Sequence, residues 1–77
     1  MRTYHTNDGA VIEANDARDV VRKLRGMSNT PEQNIEVFMQ EVAERVLVQN
    51  GVIVPTHSPT YFVAGLLQAG LLIEEEQ

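Results

Sequence analysis

The sequence predicts a small α+β domain in which a short sheet is covered on one side by three helices. Three features indicate this class: a hairpin signal in residues 2–14, three segments with helical apolar spacing, and two short aliphatic runs that follow the later helices. The predicted element order is ββααβαβ, and the alternative is a mainly helical domain with one N-terminal hairpin. With 77 residues, the chain (1–77) is expected to form a single domain.

The hairpin is predicted around Asn7-Asp8-Gly9, because glycine supplies the positive φ that a tight chain reversal needs. A two-residue loop would pair Tyr4 with Glu13, whereas a three-residue loop with Gly9 as a bulge pairs Tyr4 with Ile12. The second register matches an apolar residue with an apolar residue, so it is preferred. It places Tyr4 and Ile12 on the inner face.

The first two helices follow the hairpin. Asn15 or Asp16 is expected to cap the first, and Gly26 to end it. Thr30-Pro31-Glu32-Gln33 combines a threonine cap, a proline in the first turn and a glutamine three residues after the cap, which predicts the start of the second. That helix is expected to run to Asn50-Gly51.

Two strands and a third helix are expected in the C-terminal part. The β-branched run Val52–Val54 predicts an edge strand that Pro55 ends. Ser58-Pro59 predicts the start of the third helix, which should end at Gly70. A last strand is expected at Leu71–Ile73, and residues 74–77 are expected to form a frayed acidic tail.

No recognisable catalytic apparatus is found in the sequence. Cysteine is absent, which excludes thiolate catalysis and cysteine-based metal sites. The two histidines, His5 and His57, lack the close ligand spacing of a metal site and are expected to be solvated. Ser28 and Ser58 lie outside any nucleophile motif. We therefore expect a protein that is not an enzyme and needs no cofactor or metal.

The expected cellular location of the chain and its net charge restrict the classes of molecule that it can bind. The N-terminus lacks a signal-peptide pattern and the most apolar stretch, residues 61–73, is too short to cross a bilayer, so a cytoplasmic location without membrane contact is expected. The formal net charge of −5 disfavours nucleic acid. The charge is unevenly distributed: residues 1–26 have five basic and four acidic residues, whereas residues 27–77 have one basic and seven acidic residues.

One group of residues suggests a binding surface. Arg18, Arg22 and Arg25 are spaced i, i+4 and i+7 on the first predicted helix, within about 60° of arc. We refer to these three residues as the arginine stripe. Guanidinium groups bind carboxylates or phosphates with two parallel hydrogen bonds, so the stripe suits an anionic partner. The alternative is a solvated face whose arginines pair with Glu36, Glu41 or Glu44 of the second helix.

Three functions remain open from these observations. The preferred one is a non-enzymatic protein-protein interaction or adaptor module that binds a partner through Arg18, Arg22 and Arg25, and for which a homodimer is predicted. The alternative is an anion-binding or nucleic-acid-binding protein that uses the same stripe. The least favoured is a small enzyme built around His5 or His57.

Overall fold

The computed structural model describes residues 1–28 and 32–75, and it confirms an α+β domain with three helices and one antiparallel sheet. The N-terminal half contains β1 (Arg2–Thr6), β2 (Val11–Ala14) and α1 (Ala17–Gly26). The C-terminal half contains α2 (Ile35–Asn50), α3 (Pro59–Gln68) and β3 (Leu72–Glu75). The described strands lie in the order β2-β1-β3, so the C-terminal strand pairs with the N-terminal one.

The hairpin register is confirmed. Tyr4 lies opposite Ile12, and both side chains are buried. The three-residue loop Asn7–Gly9 is closed by a hydrogen bond of 2.9 Å from the Thr6 N–H to the Ala10 carbonyl. Gly9 has a φ of 95°, a conformation that glycine adopts without a steric penalty.

The predicted edge strand Val52–Val54 is not formed, and the sheet of the described residues has three strands. The central strand β1 already pairs with β2 on one side and β3 on the other. The run instead crosses α3 at Gly65, where Val54 is buried. Val54 therefore packs against α3, whereas Ile53 of the same run remains 82% exposed.

The predicted helix caps are partly confirmed. Asp16 caps α1 and Ser58 caps α3. The start of α2 was predicted too early, because Asn34 is its cap: the Asn34 side chain accepts a hydrogen bond of 2.8 Å from the Glu36 N–H. The predicted Thr30-Pro31 start lies outside the described residues.

The last strand extends further than predicted. Glu74 and Glu75 belong to β3, where they lie opposite Tyr4 and Thr3 of β1. Arg2 forms an ion pair of 3.2 Å with Glu74. Backbone pairing and this ion pair hold two residues that were expected to fray, whereas residues 76–77 lie outside the described part.

The helices cover one face of the sheet and leave the other open. On the open face, Val11 and Ile73 are 57% and 56% exposed. No helix within residues 1–28 and 32–75 is long and apolar enough to cross a membrane. The buried apolar side chains come from all six elements and from the segment before α3: Tyr4, Ile12, Ala14, Val20, Val21, Ile35, Phe38, Met39, Val46, Val54, Phe62, Val63, Leu66 and Leu72.

Candidate functional site

Helix α1 is anchored beside β2 by a narrow apolar face. Val20 and Val21 are fully buried, and Asp16 accepts a hydrogen bond of 2.8 Å from the Asp19 N–H at the first turn. Because α1 buries only this face, its other sides remain available for charged residues. Arg18 and Arg22 of the arginine stripe lie outside the buried face.

Two members of the arginine stripe, Arg18 and Arg22, are exposed. Within residues 1–28 and 32–75, the ion pairs join Arg2 to Glu74, His5 to Glu75 and Lys23 to Asp19. The alternative in which these arginines pair with glutamates of α2 is therefore not observed in the described part of the chain. The guanidinium groups of Arg18 and Arg22 face solvent.

Arg25 has a different environment. Its side chain is partly buried, and Nη1 donates a hydrogen bond of 3.2 Å to the carbonyl of Gln33, just before α2. Its buried Nε has no hydrogen-bond partner among the described residues. Arg25 thus connects α1 to the start of α2, whereas Arg18 and Arg22 have no ion-pair partner within residues 1–28 and 32–75.

An open groove of about 670 Å³ lies between β2 and α1. We refer to it as the β2–α1 groove. It is both apolar and basic, and one acidic residue also lines it. Its lining residues are Val11, Ile12, Glu13, Arg22, Lys23, Gly26 and Met27.

The β2 strand forms one edge of the sheet, and its outer side borders this groove. Along an antiparallel pair of strands, residue pairs that are hydrogen-bonded to each other alternate with pairs whose main-chain groups point outwards. The Thr6–Ala10 hydrogen bond shows which pairs of β1 and β2 are of the first kind. The N–H and C=O groups of Val11 and Glu13 therefore point away from β1. The Lys23 ammonium donates a hydrogen bond to the Glu13 carbonyl at this edge.

The two histidines have different neighbours. His5 Nε2 lies 3.3 Å from Glu75 Oε1 on the open sheet face, whereas the His57 ring stacks on Tyr61 with centroids 4.6 Å apart. Ser58 Oγ accepts the Tyr61 N–H at the start of α3. Among the described residues, no group of three histidine or acidic side chains is placed to hold a metal ion.

Sequence reasoning found Arg22 but missed the other residues of the groove. Lys23 follows Arg22 on α1, Met27 comes directly after that helix, and Val11 lies on β2, so their association depends on where α1 lies against the sheet. The chain matches no family model, no curated protein and no solved structure. A functional proposal can rest on three features of the described residues: the β2–α1 groove, the outer edge of β2 and the exposed Arg18 and Arg22.

Proposed function

We propose that this chain is a non-enzymatic protein-interaction module that acts in the cytoplasm and binds an acidic segment of a partner protein at the β2–α1 groove. The observation that supports this most directly is the composition of the groove. Arg22 and Lys23 line it together with the apolar side chains of Val11, Ile12 and Met27, and Arg18 lies one helical turn from Arg22. A mixed basic and apolar lining suits a peptide that carries both carboxylates and aliphatic groups.

The distribution of charge and aromatic residues disfavours nucleic acid. Glu13 lies in the groove itself, and residues 27–77 have a net charge of −6. Proteins that bind single strands stack bases on exposed aromatic rings. Of the four aromatic residues here, Tyr4, Phe38 and Phe62 are buried, and Tyr61 lies on α3 outside the groove.

The proposal is tested by measuring the affinity of a labelled peptide of alternating glutamate and threonine by fluorescence anisotropy. Arg22→Glu should weaken binding by about tenfold to a hundredfold, because a hydrogen bond to a charged group contributes about 1.5–3 kcal/mol. Arg45→Glu, which makes the same change of charge at an exposed position of α2, should change the affinity by less than about twofold.

Two results would overturn this function. One is an equal loss of affinity in Arg22→Glu and Arg45→Glu, which would show that only net charge matters. The other is tighter binding of a single-stranded oligonucleotide than of the acidic peptide at the same salt concentration. The second result would favour the nucleic-acid alternative.

A further inference from the structure

We infer that the acidic segment binds as an added β-strand on the free edge of β2, an inference that rests on the proposed function and specifies its binding mode. In strand addition, main-chain hydrogen bonds give affinity and alternate side chains give specificity. The β2 edge offers main-chain groups for such hydrogen bonds, and the residues beside it can select side chains.

The main-chain groups needed for pairing are present at this edge. The N–H and C=O groups of Val11 and Glu13 point away from β1, as the phase of the ladder requires. The β2–α1 groove borders them, so an extended chain has room beside β2. Val11 and Glu13 are both exposed, and the groove beside them is open, so an incoming strand can reach the edge.

The position of α1 determines the sequence pattern of the segment. Successive side chains of an added strand point alternately to the two faces of the sheet. Those on the helix-covered face meet Arg22 and Lys23, whereas those on the open face lie beside Val11 and Glu13. The segment should therefore have carboxylates at alternate positions, facing α1, with neutral or aliphatic residues between them.

Lys23 acts at the point where the strand would dock. Its ammonium now donates to the Glu13 carbonyl and lies 3.6 Å from the Asp19 carboxylate. A peptide N–H can take over the carbonyl, which releases the ammonium to pair with a carboxylate of the segment. Until a segment binds, the Lys23 ammonium covers the Glu13 carbonyl, which leaves this edge acceptor unavailable to other strands.

The other edge of the sheet does not suit the same segment. Glu74 and Glu75 lie on β3, where they would repel carboxylates of an added strand. Within the described residues, β3 is the second edge strand. Charge therefore directs the acidic segment to β2.

The test uses backbone N-methylation of the alternating glutamate and threonine peptide, which leaves the protein unchanged. In one peptide only the glutamates are N-methylated, and in the other only the threonines. Alternate residues of a strand direct their N–H groups to opposite sides, so only one set can pair with β2. Methylation of that set should weaken binding at least about tenfold, and methylation of the other set should change it by less than about threefold.

The set that is sensitive also gives the strand direction. Loss of binding on methylation of the threonines indicates antiparallel addition, and loss on methylation of the glutamates indicates parallel addition. Equal sensitivity or insensitivity of both sets would overturn strand addition while the acidic-peptide function stands. Failure of the unmethylated peptide to bind would overturn both, and Lys23 would then serve only to protect the edge.

Discussion

At the scale of single residues, Thr6 closes the hairpin loop. Its hydroxyl accepts a hydrogen bond of 3.0 Å from the Ala10 N–H and donates one to the Asp8 carboxylate. The Thr6 hydroxyl, with a smaller contribution from the Ala10 backbone amide, lowers the pKa of Asp8 below its ordinary value. The ionised form of Asp8 therefore stabilises the folded loop.

Replacement of Thr6 should remove this effect. In Thr6→Val, the pKa of Asp8 should return towards its ordinary value, as measured by an NMR titration of the side-chain carboxyl. Because the folded pKa is lower than the unfolded one, the contribution of Asp8 to stability is present above the unfolded pKa and is lost as the pH falls through the folded pKa. Thr3→Val, on the same strand, serves as the control. An Asp8 pKa that is the same in all three proteins would contradict the assignment.

The sequence predicts individual residues where their partners are local. Tyr4 and Ile12 could be paired because one loop length matches them, and Ser58 could be identified as a cap because its acceptor role is fulfilled within one turn. Arg25 could not be understood in this way. It bonds to a main-chain carbonyl of Gln33, and the position of that carbonyl depends on how α1 meets the segment before α2.

At the scale of elements, the contact between α3 and the segment before it depends on the small size of Gly65. A Cβ atom at this position would lie 3.0 Å from Val54 Cγ1 and 3.1 Å from Pro55 Cδ. Gly65→Ala should therefore destabilise the fold by about 1–3 kcal/mol, the usual cost of overpacking.

Gly26→Ala is the matched control, since its Cβ would meet nothing within 4 Å and helical alanine is favoured by up to about 1 kcal/mol over glycine. Urea unfolding of both variants measures the difference, and a Gly65→Ala protein as stable as the wild type would contradict this packing.

The same contact explains why the element prediction failed at Val52–Val54. β-branched residues favour extended backbone, and the segment is indeed free of helix. To join a sheet, a segment must also reach the free edge of another strand, and the β-propensity of its residues does not show whether it can. The helix predictions agreed better with the structure, since a cap and an apolar face are local features, although α2 begins after Asn34, later than predicted.

At the scale of the whole molecule, the candidate site depends on strand order. The arginine stripe is visible in the sequence, but the groove exists because β2 is an edge strand and α1 lies along it. That arrangement follows from the pairing of β3 with β1, between residues about 70 positions apart. No local pattern contains this information, so the sequence predicted a basic surface without its strand edge.

The predicted homodimer is also a property of the whole molecule, and we propose that Ile53 mediates it. Its 82% exposed side chain stands between a recess of about 440 Å³ against α3 and one of about 270 Å³ against α2. Glu44 is the one charged side chain among the described residues that line these recesses, so two chains of net charge −5 can meet here with little repulsion. Ile53 and the two recesses lie next to each other, so in a two-fold dimer the Ile53 side chain of each chain can enter a recess of the other.

Sedimentation equilibrium at two protein concentrations tests this dimer. The wild type should show a mass that rises above 8.6 kDa with concentration. Ile53→Ser should weaken association by about tenfold or more, since burial of an isoleucine side chain contributes about 1.5–3 kcal/mol. Val11→Ser, which removes an exposed side chain from the open sheet face, should leave association unchanged. A strict monomer at both concentrations would exclude the dimer, and an equal effect of both variants would place the contact elsewhere.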